Sequence, residues 1–205
     1  MKHLLRGLYA ITPETRNTEQ LLAHVDSALK GGINVLQYRA KVLPATLRKQ
    51  QANLLCALCE DYHCPFIIND DIDLAKKVGA HGVHLGQTDG KPAVARKQLG
   101  SDAIIGITCH DSLPLAEAAY TAGANYLAFG AFYPSTSKPL AELANASTLS
   151  RAKQAFPLPI VAIGGITPHN GKALVQAGAD MLAVIDSLFT NPDIQAQCRQ
   201  FEKIF

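Results

Sequence analysis

The strongest constraint on the fold is an alternation of short apolar runs with segments of helical periodicity, repeated eight times along the 205 residues. The stretch from Ile67 to Asp89 shows one such unit. An apolar run stops at Asn69, a segment with helical spacing ends at Gly79, and a second apolar run, 83–85, stops before Gln87. The connection is too long for a hairpin and contains a helix, so the two strands are predicted to be parallel neighbours.

Four short segments of similar, glycine-containing sequence mark the ends of predicted helices just before predicted strands. They are residues 31–34, 79–82, 123–126 and 178–181. The predicted strands are nearly continuous apolar runs, as expected for a parallel sheet covered on both faces. Eight strand–helix units predict an α/β fold, a single (β/α)₈ TIM barrel over residues 1–205. A doubly wound open sheet is the alternative, but it would leave two edges and usually has fewer strands.

Composition narrows the classes of function. A hydrophobic content of 48% is enough for a full core, and a net charge of +2 gives no electrostatic reason to expect nucleic acid or a membrane surface as a partner. The N-terminal apolar run is too short for a signal peptide, and no stretch is long enough to span a bilayer. These features predict a cytoplasmic protein, and they are compatible with a homo-oligomer. The polar residues described below point to small molecules as its partners.

The cysteines are predicted to be free thiols, because their number, five, is odd and no secretion signal precedes them. Cys56, Cys59 and Cys64, together with His63, form the one cluster whose spacing suggests metal ligation. A helix that buries small apolar thiols is the favoured interpretation, because a zinc site normally needs a second pair of ligands.

Polar residues collect where the predicted strands end, and (β/α)₈ barrels carry their active sites at the C-terminal ends of the strands. In chain order these residues are Gln37, Arg39, Lys41, Asn69, Asp70, Gln87, Asp89, Thr108, His110, Ser135, Thr136, Ser137, Lys138, Gly164, Gly165, Asp186 and Ser187.

The chemistry of this set indicates a diphosphate site. Asp70 and Asp89 end neighbouring parallel strands, so they are predicted to lie side by side, and two carboxylates placed in this way suit Mg²⁺. Arg39, Lys41 and Lys138 add three cations. A metal that bridges diphosphate oxygens and cations that neutralise the remaining charge would together hold such a group.

A second phosphate site is predicted after the seventh strand. Gly164-Gly165, followed by Thr167-Pro168, has the sequence of a glycine turn that opens a helix, here expected over 167–177. The free N–H groups of such a turn bind phosphate, and barrels often bind one at the seventh and eighth strands.

Each of these residues also has a structural interpretation. Arg39 and Lys41 could form a solvated pair, Asp70 could cap the following helix, and Asp89 could stabilise a turn. His84, inside an apolar strand, is more typical of a hydrogen-bonded core histidine than of a ligand. Convergence of so many polar residues on one rim favours function, because independent structural roles do not predict it.

From Leu8 to about Pro192 the chain resembles the thiamine phosphate synthase family. The segments that carry the resemblance are Gln37-Tyr38-Arg39-Ala40-Lys41, Ile68-Asn69-Asp70, Gly82 to Asp89, Pro134 to Lys138 and Ala162 to Ile166. The resemblance implies a (β/α)₈ barrel that joins hydroxymethylpyrimidine diphosphate to a thiazole phosphate and releases pyrophosphate.

The resemblance also implies residue roles. The pyrimidine diphosphate would be held by Gln37, Tyr38, Arg39, Ala40, Lys41, Asn69, Thr108 and Lys138, with Mg²⁺ on Asp70 and Asp89. The thiazole phosphate would be held by Ser135, Thr136, Ser137, Gly165, Ile185 and Asp186. Arg39, Lys41 and Lys138 would take the catalytic part of absorbing the charge of the departing pyrophosphate, after which the thiazole nitrogen attacks the pyrimidine carbocation.

The chain departs from the family pattern at a few positions. The departures are Thr108 for Ser, Ser135 and Ser137 for Thr, Thr136 for Pro, His81 for Asp, and Asp186 for Ser. A carboxylate at Asp186 would repel the thiazole phosphate unless its side chain turned away, so weakened binding of that substrate is expected.

Two other functions remain as alternatives. A thiazole tautomerase on a related barrel would use His110 as a proton carrier and would need no diphosphate site. A non-enzymatic phosphate-binding barrel is suggested only by Asp186. The set Gln37, Arg39 and Lys41, together with the carboxylate pair, favours the synthase over both.

Overall fold

The computed structural model describes residues 5–135 and 142–205. Eight parallel strands pair in chain order and the eighth pairs with the first, so the sheet closes into a barrel and confirms the predicted (β/α)₈ fold. The strands are β1 (Gly7–Ile11), β2 (Val35–Tyr38), β3 (Phe66–Asn69), β4 (Gly82–Leu85), β5 (Ile104–His110), β6 (Tyr126–Phe129), β7 (Ile160–Ile163) and β8 (Met181–Val184). The helices are α1 (Thr18–Lys30), α2 (Ala45–Asp61), α3 (Ile72–Val78), α4 (Pro92–Leu99), α5 (Leu113–Thr121), α6 (Ala146–Ala155), α7 (Gly171–Gln176), α8 (Asp186–Phe189) and α9 (Ile194–Glu202).

Two apolar layers hold the barrel together, because successive side chains of a strand point to opposite faces. The inner layer fills the barrel, with buried residues that include Tyr9, Val35, Ile67 and Tyr126. The outer layer lies between strands and helices and includes Leu36. Burial of both strand faces explains why the sequence shows continuous apolar runs rather than an alternating pattern.

The N-terminal ends of the strands are tied in pairs by four latch residues: Asn34, His81, Asn125 and Asp180. Each stands immediately before an even-numbered strand. Its backbone N–H donates to the first or second residue of the preceding odd-numbered strand, and its side chain accepts the N–H of that same residue. Each of the four glycine-containing segments of the sequence therefore joins the end of a helix to a latch residue.

The pair formed by Asn125 and Ile105 shows the geometry of a latch. The Asn125 N–H lies 2.7 Å from the Ile105 carbonyl oxygen, and Asn125 Oδ1 accepts the Ile105 N–H at 2.8 Å. His81 makes the same contact with a ring nitrogen, since Nδ1 accepts the Phe66 N–H at 3.1 Å. His81, where the resemblance leads one to expect Asp, therefore keeps the hydrogen-bond acceptor.

Asn17 caps α1 by accepting the N–H of Gln20. One helix start differs from the sequence-based expectation. Asp71 caps α3 by accepting the N–H of Leu74 at 2.8 Å. The capping role that the sequence allows for Asp70 therefore belongs to its neighbour.

The region after β7 corrects a further expectation. The predicted helix over 167–177 is only α7, because Asn170 closes a turn first: its Oδ1 accepts the N–H of Thr167 and its Nδ2 donates to the Gly165 carbonyl. The glycine turn thus leads into this polar turn and not directly into a helix. The short helix α8 after β8 was not predicted, because four residues are too few to show a helical period.

All five cysteines are free and buried, which confirms the prediction of thiols. Cys56 and Cys59 lie in α2, and no group of three or more His, Cys, Asp or Glu in the described ranges could hold a metal ion. Cys56 and Cys59 are thus buried on a helix, as the favoured interpretation expects, and Cys64 is buried just beyond its end. Across residues 5–135 and 142–205, none of the helices has the length and apolar character needed to cross a membrane.

The latch at Asn125 should contribute to stability without affecting the mouth of the barrel. Asn125→Ala leaves the buried N–H of Ile105 without its acceptor and should lower the free energy of unfolding by about 1–3 kcal/mol. Asn125→Asp keeps an acceptor oxygen and should lose less. Urea denaturation gives both values, and equal stability of Asn125→Ala and the wild type would contradict the proposed role of the latch.

Candidate active site

A cavity of about 310 Å³ opens at the C-terminal ends of β2, β3 and β4. Its lining residues come from the end of β3, from the segments that follow these strands and from α2: Ala40, Lys41, Arg48, Asn69, Asp70, Asp71 and Asp89. Two carboxylates 19 positions apart in the chain, Asp70 and Asp89, thus face one space, as the parallel arrangement of β3 and β4 predicts.

Asp70 is fixed at the end of β3 by its backbone. Its N–H donates to the His84 carbonyl on β4, and its φ of 63° lies in the left-handed region, which Asp tolerates better than most residues. Its carboxylate pairs with Lys41, with Nζ 3.0 Å from Oδ2. A cation therefore already contacts this carboxylate from across the cavity.

Asp89 has both a structural contact and a place in the cavity. Its Oδ2 accepts the N–H of Gly86 at 3.1 Å, so it stabilises the turn after β4. A Cβ added at Gly86 would lie 2.3 Å from that oxygen, so this approach requires glycine. The exposed carboxylate retains acceptor capacity toward the cavity, since an ionised carboxylate has about four lone-pair sites.

The donor set of the cavity fits a hard divalent cation. Asp70 and Asp89 offer carboxylate oxygens, and the side chain of Asn69 lies beside them. Mg²⁺ is commonly held by one or two carboxylates, with water and substrate phosphate oxygens in its other positions. The two carboxylates would therefore bind Mg²⁺ best when a phosphate group in the same cavity supplies further oxygen ligands.

A chain of hydrogen bonds crosses the barrel interior below the mouth. Gln37 Nε2 donates to the Tyr9 hydroxyl at 2.7 Å, and the hydroxyl oxygens of Tyr9 and Tyr126 are 2.7 Å apart. The Tyr126 hydroxyl lies 2.9 Å from His84 Nδ1. His84 Nε2 lies 2.9 Å from Thr108 Oγ1. These hydrogen bonds make His84 a satisfied core histidine, as the sequence suggests.

This chain links Gln37 to Thr108. Gln37 donates to the Tyr9 hydroxyl, which is hydrogen-bonded in turn to the hydroxyl of Tyr126. The Tyr126 hydroxyl pairs with Nδ1 of His84, and Nε2 of the same ring pairs with the hydroxyl of Thr108. Burial raises the pKa of both tyrosine hydroxyls, so both keep their protons. The chain thereby orients Gln37 and Thr108, two residues that the sequence predicts to hold the pyrimidine.

Tyr38 points away from the mouth. Its side chain is buried in the outer layer and its hydroxyl donates to Gln51 Oε1 on α2 at 2.8 Å. Burial, as the largest influence, raises the pKa of Tyr38 to about 12. Only the backbone of this residue is placed to contribute to the mouth, in contrast to Gln37, which points inward.

The loop that carries Lys41 is held by Glu14. Its carboxylate accepts three backbone N–H groups, those of residues 41, 42 and 43, at 2.7–3.1 Å. Thr12 Oγ1 accepts the N–H of Arg39 at 3.0 Å and holds the start of the same loop. Burial acts to raise the pKa of Glu14, but these N–H donors and the charge of Arg39 outweigh it and lower the pKa below its ordinary value.

The residues predicted for the thiazole phosphate lie around β6, β7 and β8. Gly165 has a φ of 60°, and an added Cβ would lie 2.4 Å from the Pro134 carbonyl oxygen, so it packs against the segment that leads to Ser135. Ile185 and Asp186 stand where β8 gives way to α8. Thr136, Ser137 and Lys138 lie outside the described residues.

His110 is exposed at the end of β5 with a φ of 52°. The pairing of β5 with β6 is irregular between Thr108 and His110. This irregularity leaves Thr108, rather than His110, joined to the hydrogen-bond chain inside the barrel.

The family model described as thiamine monophosphate synthase matches residues 8–188 of the sequence. The chain belongs to the thiamine monophosphate synthase family. The "thiamine-phosphate synthase" of Thioalkalivibrio sulfidiphilus is 49% identical over 202 residues, covering 98% of this chain and 96% of that protein. That of Saccharophagus degradans is 50% identical over 201 residues, covering 97% of this chain and 93% of that protein.

A solved structure agrees with family membership. The thiamine phosphate pyrophosphorylase from Pyrococcus furiosus superimposes with a TM-score of 0.86 at 31% identity, covering 97% of this chain and 94% of that one. Membership in the thiamine monophosphate synthase family was therefore correctly inferred from the sequence segments. Sequence reasoning missed Glu14, Arg48, Tyr9 and Tyr126, because their roles depend on contacts between distant parts of the chain.

Tyr9 should affect one substrate of this family and not the other. Tyr9→Phe breaks the link between Gln37 and Tyr126 and should raise KM for the pyrimidine diphosphate by about tenfold, the effect of one misplaced hydrogen bond. KM for the thiazole phosphate should not change. Tyr38→Phe is the matched control, because it also removes a buried hydroxyl, but on the outer face. Equal effects of the two variants on steady-state kinetics would count against the orienting role of Tyr9.

Glu14 should stabilise the protein in a pH-dependent way. Since its folded pKa is lowered, its contribution is fully present above the unfolded pKa of about 4.3 and is lost as pH falls through the folded pKa. Glu14→Gln removes the charge, so the stability gap between wild type and variant should be constant near pH 7 and should close in more acidic solution. Urea denaturation at a series of pH values measures this gap, and a gap that widens in acid would contradict the assignment.

Proposed function

We propose that this chain joins hydroxymethylpyrimidine diphosphate to a thiazole phosphate, giving thiamine phosphate and pyrophosphate. The observation that carries the proposal is the shared cavity of Lys41, Asp70 and Asp89, which lies at the mouth above Gln37 and Thr108. Membership in the thiamine monophosphate synthase family and the names of its relatives support the same reaction.

The reaction needs a leaving group to be stabilised and two reactants to be aligned. The bond between the pyrimidine methylene carbon and the diphosphate oxygen breaks, and its electron pair leaves with pyrophosphate. The aminopyrimidine stabilises the resulting carbocation, and the lone pair of the thiazole nitrogen then forms the new carbon–nitrogen bond. No protein nucleophile takes part in this scheme, so the tasks of the protein are positioning and charge stabilisation.

The roles of the pyrimidine site follow from the side chains at the mouth. Gln37 and Thr108, oriented by the interior hydrogen-bond chain, would bind the pyrimidine ring. Lys41, on the loop held by Glu14, would neutralise diphosphate charge together with Arg39 and Lys138. A short contact from Gln87 Nε2 to the Thr108 carbonyl further fixes the end of β5.

Asp70 and Asp89 would hold Mg²⁺, a Lewis acid that withdraws charge from the diphosphate oxygens. Their place in one cavity supports this role, as does the ammonium group that Asp70 already binds. When the metal is bound, Lys41 would be displaced from Asp70 and would be free to contact phosphate.

The thiazole phosphate would bind between β6, β7 and β8, at Ser135, Gly165, Ile185 and Asp186, with Thr136 and Ser137 from the preceding loop. The contact of Gly165 with Pro134 supports a common site for these segments. The charge of Asp186 is expected to weaken binding of this phosphate. We further propose that residues 1–205 act as one domain in the cytoplasm.

Release of pyrophosphate tests the proposed reaction directly. With both substrates and Mg²⁺ the wild type should release pyrophosphate and form thiamine phosphate, and a chelator should stop both until Mg²⁺ is restored. Asp89→Ala should lower kcat/KM for the pyrimidine diphosphate by about 100-fold or more, because it removes a metal ligand that helps stabilise the leaving group.

Asp102→Ala is the matched control, since it removes an exposed carboxylate that precedes β5 at the opposite end of the barrel. It should leave kcat/KM unchanged. Isomerisation of a thiazole in the presence of chelator, without pyrophosphate release, would support the tautomerase alternative. Binding of both substrates without any turnover would support the non-enzymatic barrel. Either result would overturn the proposed reaction.

A further inference from the structure

Arg48 is the one residue of the cavity lining that comes from a helix. It lies in the first turn of α2, and α2 begins at the mouth because it follows β2 directly. The other lining residues are the last residue of β3 and residues that follow the ends of β2, β3 and β4. A cationic side chain thus faces the cavity from outside the ring of strand ends.

The guanidinium of Arg48 has unused hydrogen-bonding capacity. Its Nη1 lies 3.5 Å from Asp71 Oδ2, at the long end of ion-pair distances. Its Nε is buried and, among the described residues, has no hydrogen-bond partner. A buried donor without an acceptor is costly, so an arginine placed in this way is suited to an acceptor that arrives from outside the protein.

Two cation–carboxylate pairs span the cavity side by side. Lys41 pairs with Asp70 and Arg48 pairs with Asp71, so both cations come from the β2–α2 segment and both carboxylates from the β3–α3 segment. Asp71 also accepts the N–H of Leu74 as the cap of α3, and this bond does not depend on Arg48. Asp71 could therefore release Arg48 and still keep its capping role.

We propose that Arg48 is a further binding residue for the diphosphate and that it moves from Asp71 to the phosphate oxygens when substrate binds. The inference rests on the proposed function, because it takes the cavity to be the diphosphate site. Guanidinium offers several N–H donors in a planar fork that matches phosphate oxygens, and only one weak contact with Asp71 is given up in exchange.

The test measures binding of inorganic pyrophosphate in the presence of Mg²⁺ by calorimetry, which requires no turnover. Arg48→Met should weaken the affinity by about tenfold or more, the usual effect of losing a charge-assisted hydrogen bond. Arg48→Lys keeps the charge but lacks the fork, so it should recover part of the loss. If Arg48→Met does not fold, Arg48→Lys is compared with the wild type in its place.

Asp71→Asn is the decisive control. Asn is also a good N-cap, so α3 should keep its start, while the ion pair with Arg48 is lost. If Arg48 binds pyrophosphate, this variant should bind it as tightly as the wild type or more tightly, because Arg48 is freed and a nearby negative charge is removed. If Arg48 only ties α2 to α3, Asp71→Asn should weaken binding as much as Arg48→Met, and the proposal is overturned.

Kinetic constants separate this inference from the proposed function. Arg48→Met should raise KM for the pyrimidine diphosphate and leave KM for the thiazole phosphate unchanged; an equal rise in both would overturn the inference. Unchanged pyrophosphate affinity in Arg48→Met would also overturn it. A wild type that binds pyrophosphate through Arg48 but releases none from the two substrates would overturn only the proposed reaction.

Discussion

Hydrogen bonding between β1 and β8 closes the sheet, and the position of every polar group at the mouth depends on this closure. Four registered residue pairs join the two strands, from Gly7 with Met181 to Ala10 with Val184. A closed parallel barrel has no free edge, and all its strands end on one face. Residues from β2, β3, β4 and β5 can therefore act together although more than 70 positions separate Gln37 from Thr108.

The barrel interior combines stability with orientation of the site. Polar groups buried in a low-dielectric core are costly unless each is satisfied, and the chain from Gln37 through Tyr9, Tyr126 and His84 satisfies its members in sequence. Gly106 makes room for it, since an added Cβ would lie 1.9 Å from the Tyr126 ring. The same bonds that avoid this penalty also hold the side chains of Gln37 and Thr108 in one orientation.

Features that repeat along the sequence, or that come directly after a strand, could be predicted from the sequence alone. Roles that depend on contacts between distant parts of the chain could not. The barrel follows from eight periodic units, and the shared cavity of Asp70 and Asp89 follows from parallel strands. Glu14 could not be assigned, because its three N–H donors lie almost 30 residues away. The capping role of Asp71 rather than Asp70 was also beyond reach, since either carboxylate could precede a helix and backbone conformation decides between them.

The four latches divide the barrel into consecutive βαβ modules, each closed on itself at its base. Every latch joins an odd-numbered strand to the even-numbered strand that follows it, so none spans the links that contain α2, α4 or α6. Circular permutants with new termini in those three links would keep each module as one continuous segment, whereas openings in α1, α3, α5 or α7 would split a module between the two chain ends. The barrel is thus built from four βαβ modules. Breaks in the chain between modules are expected to be tolerated better than breaks within a module.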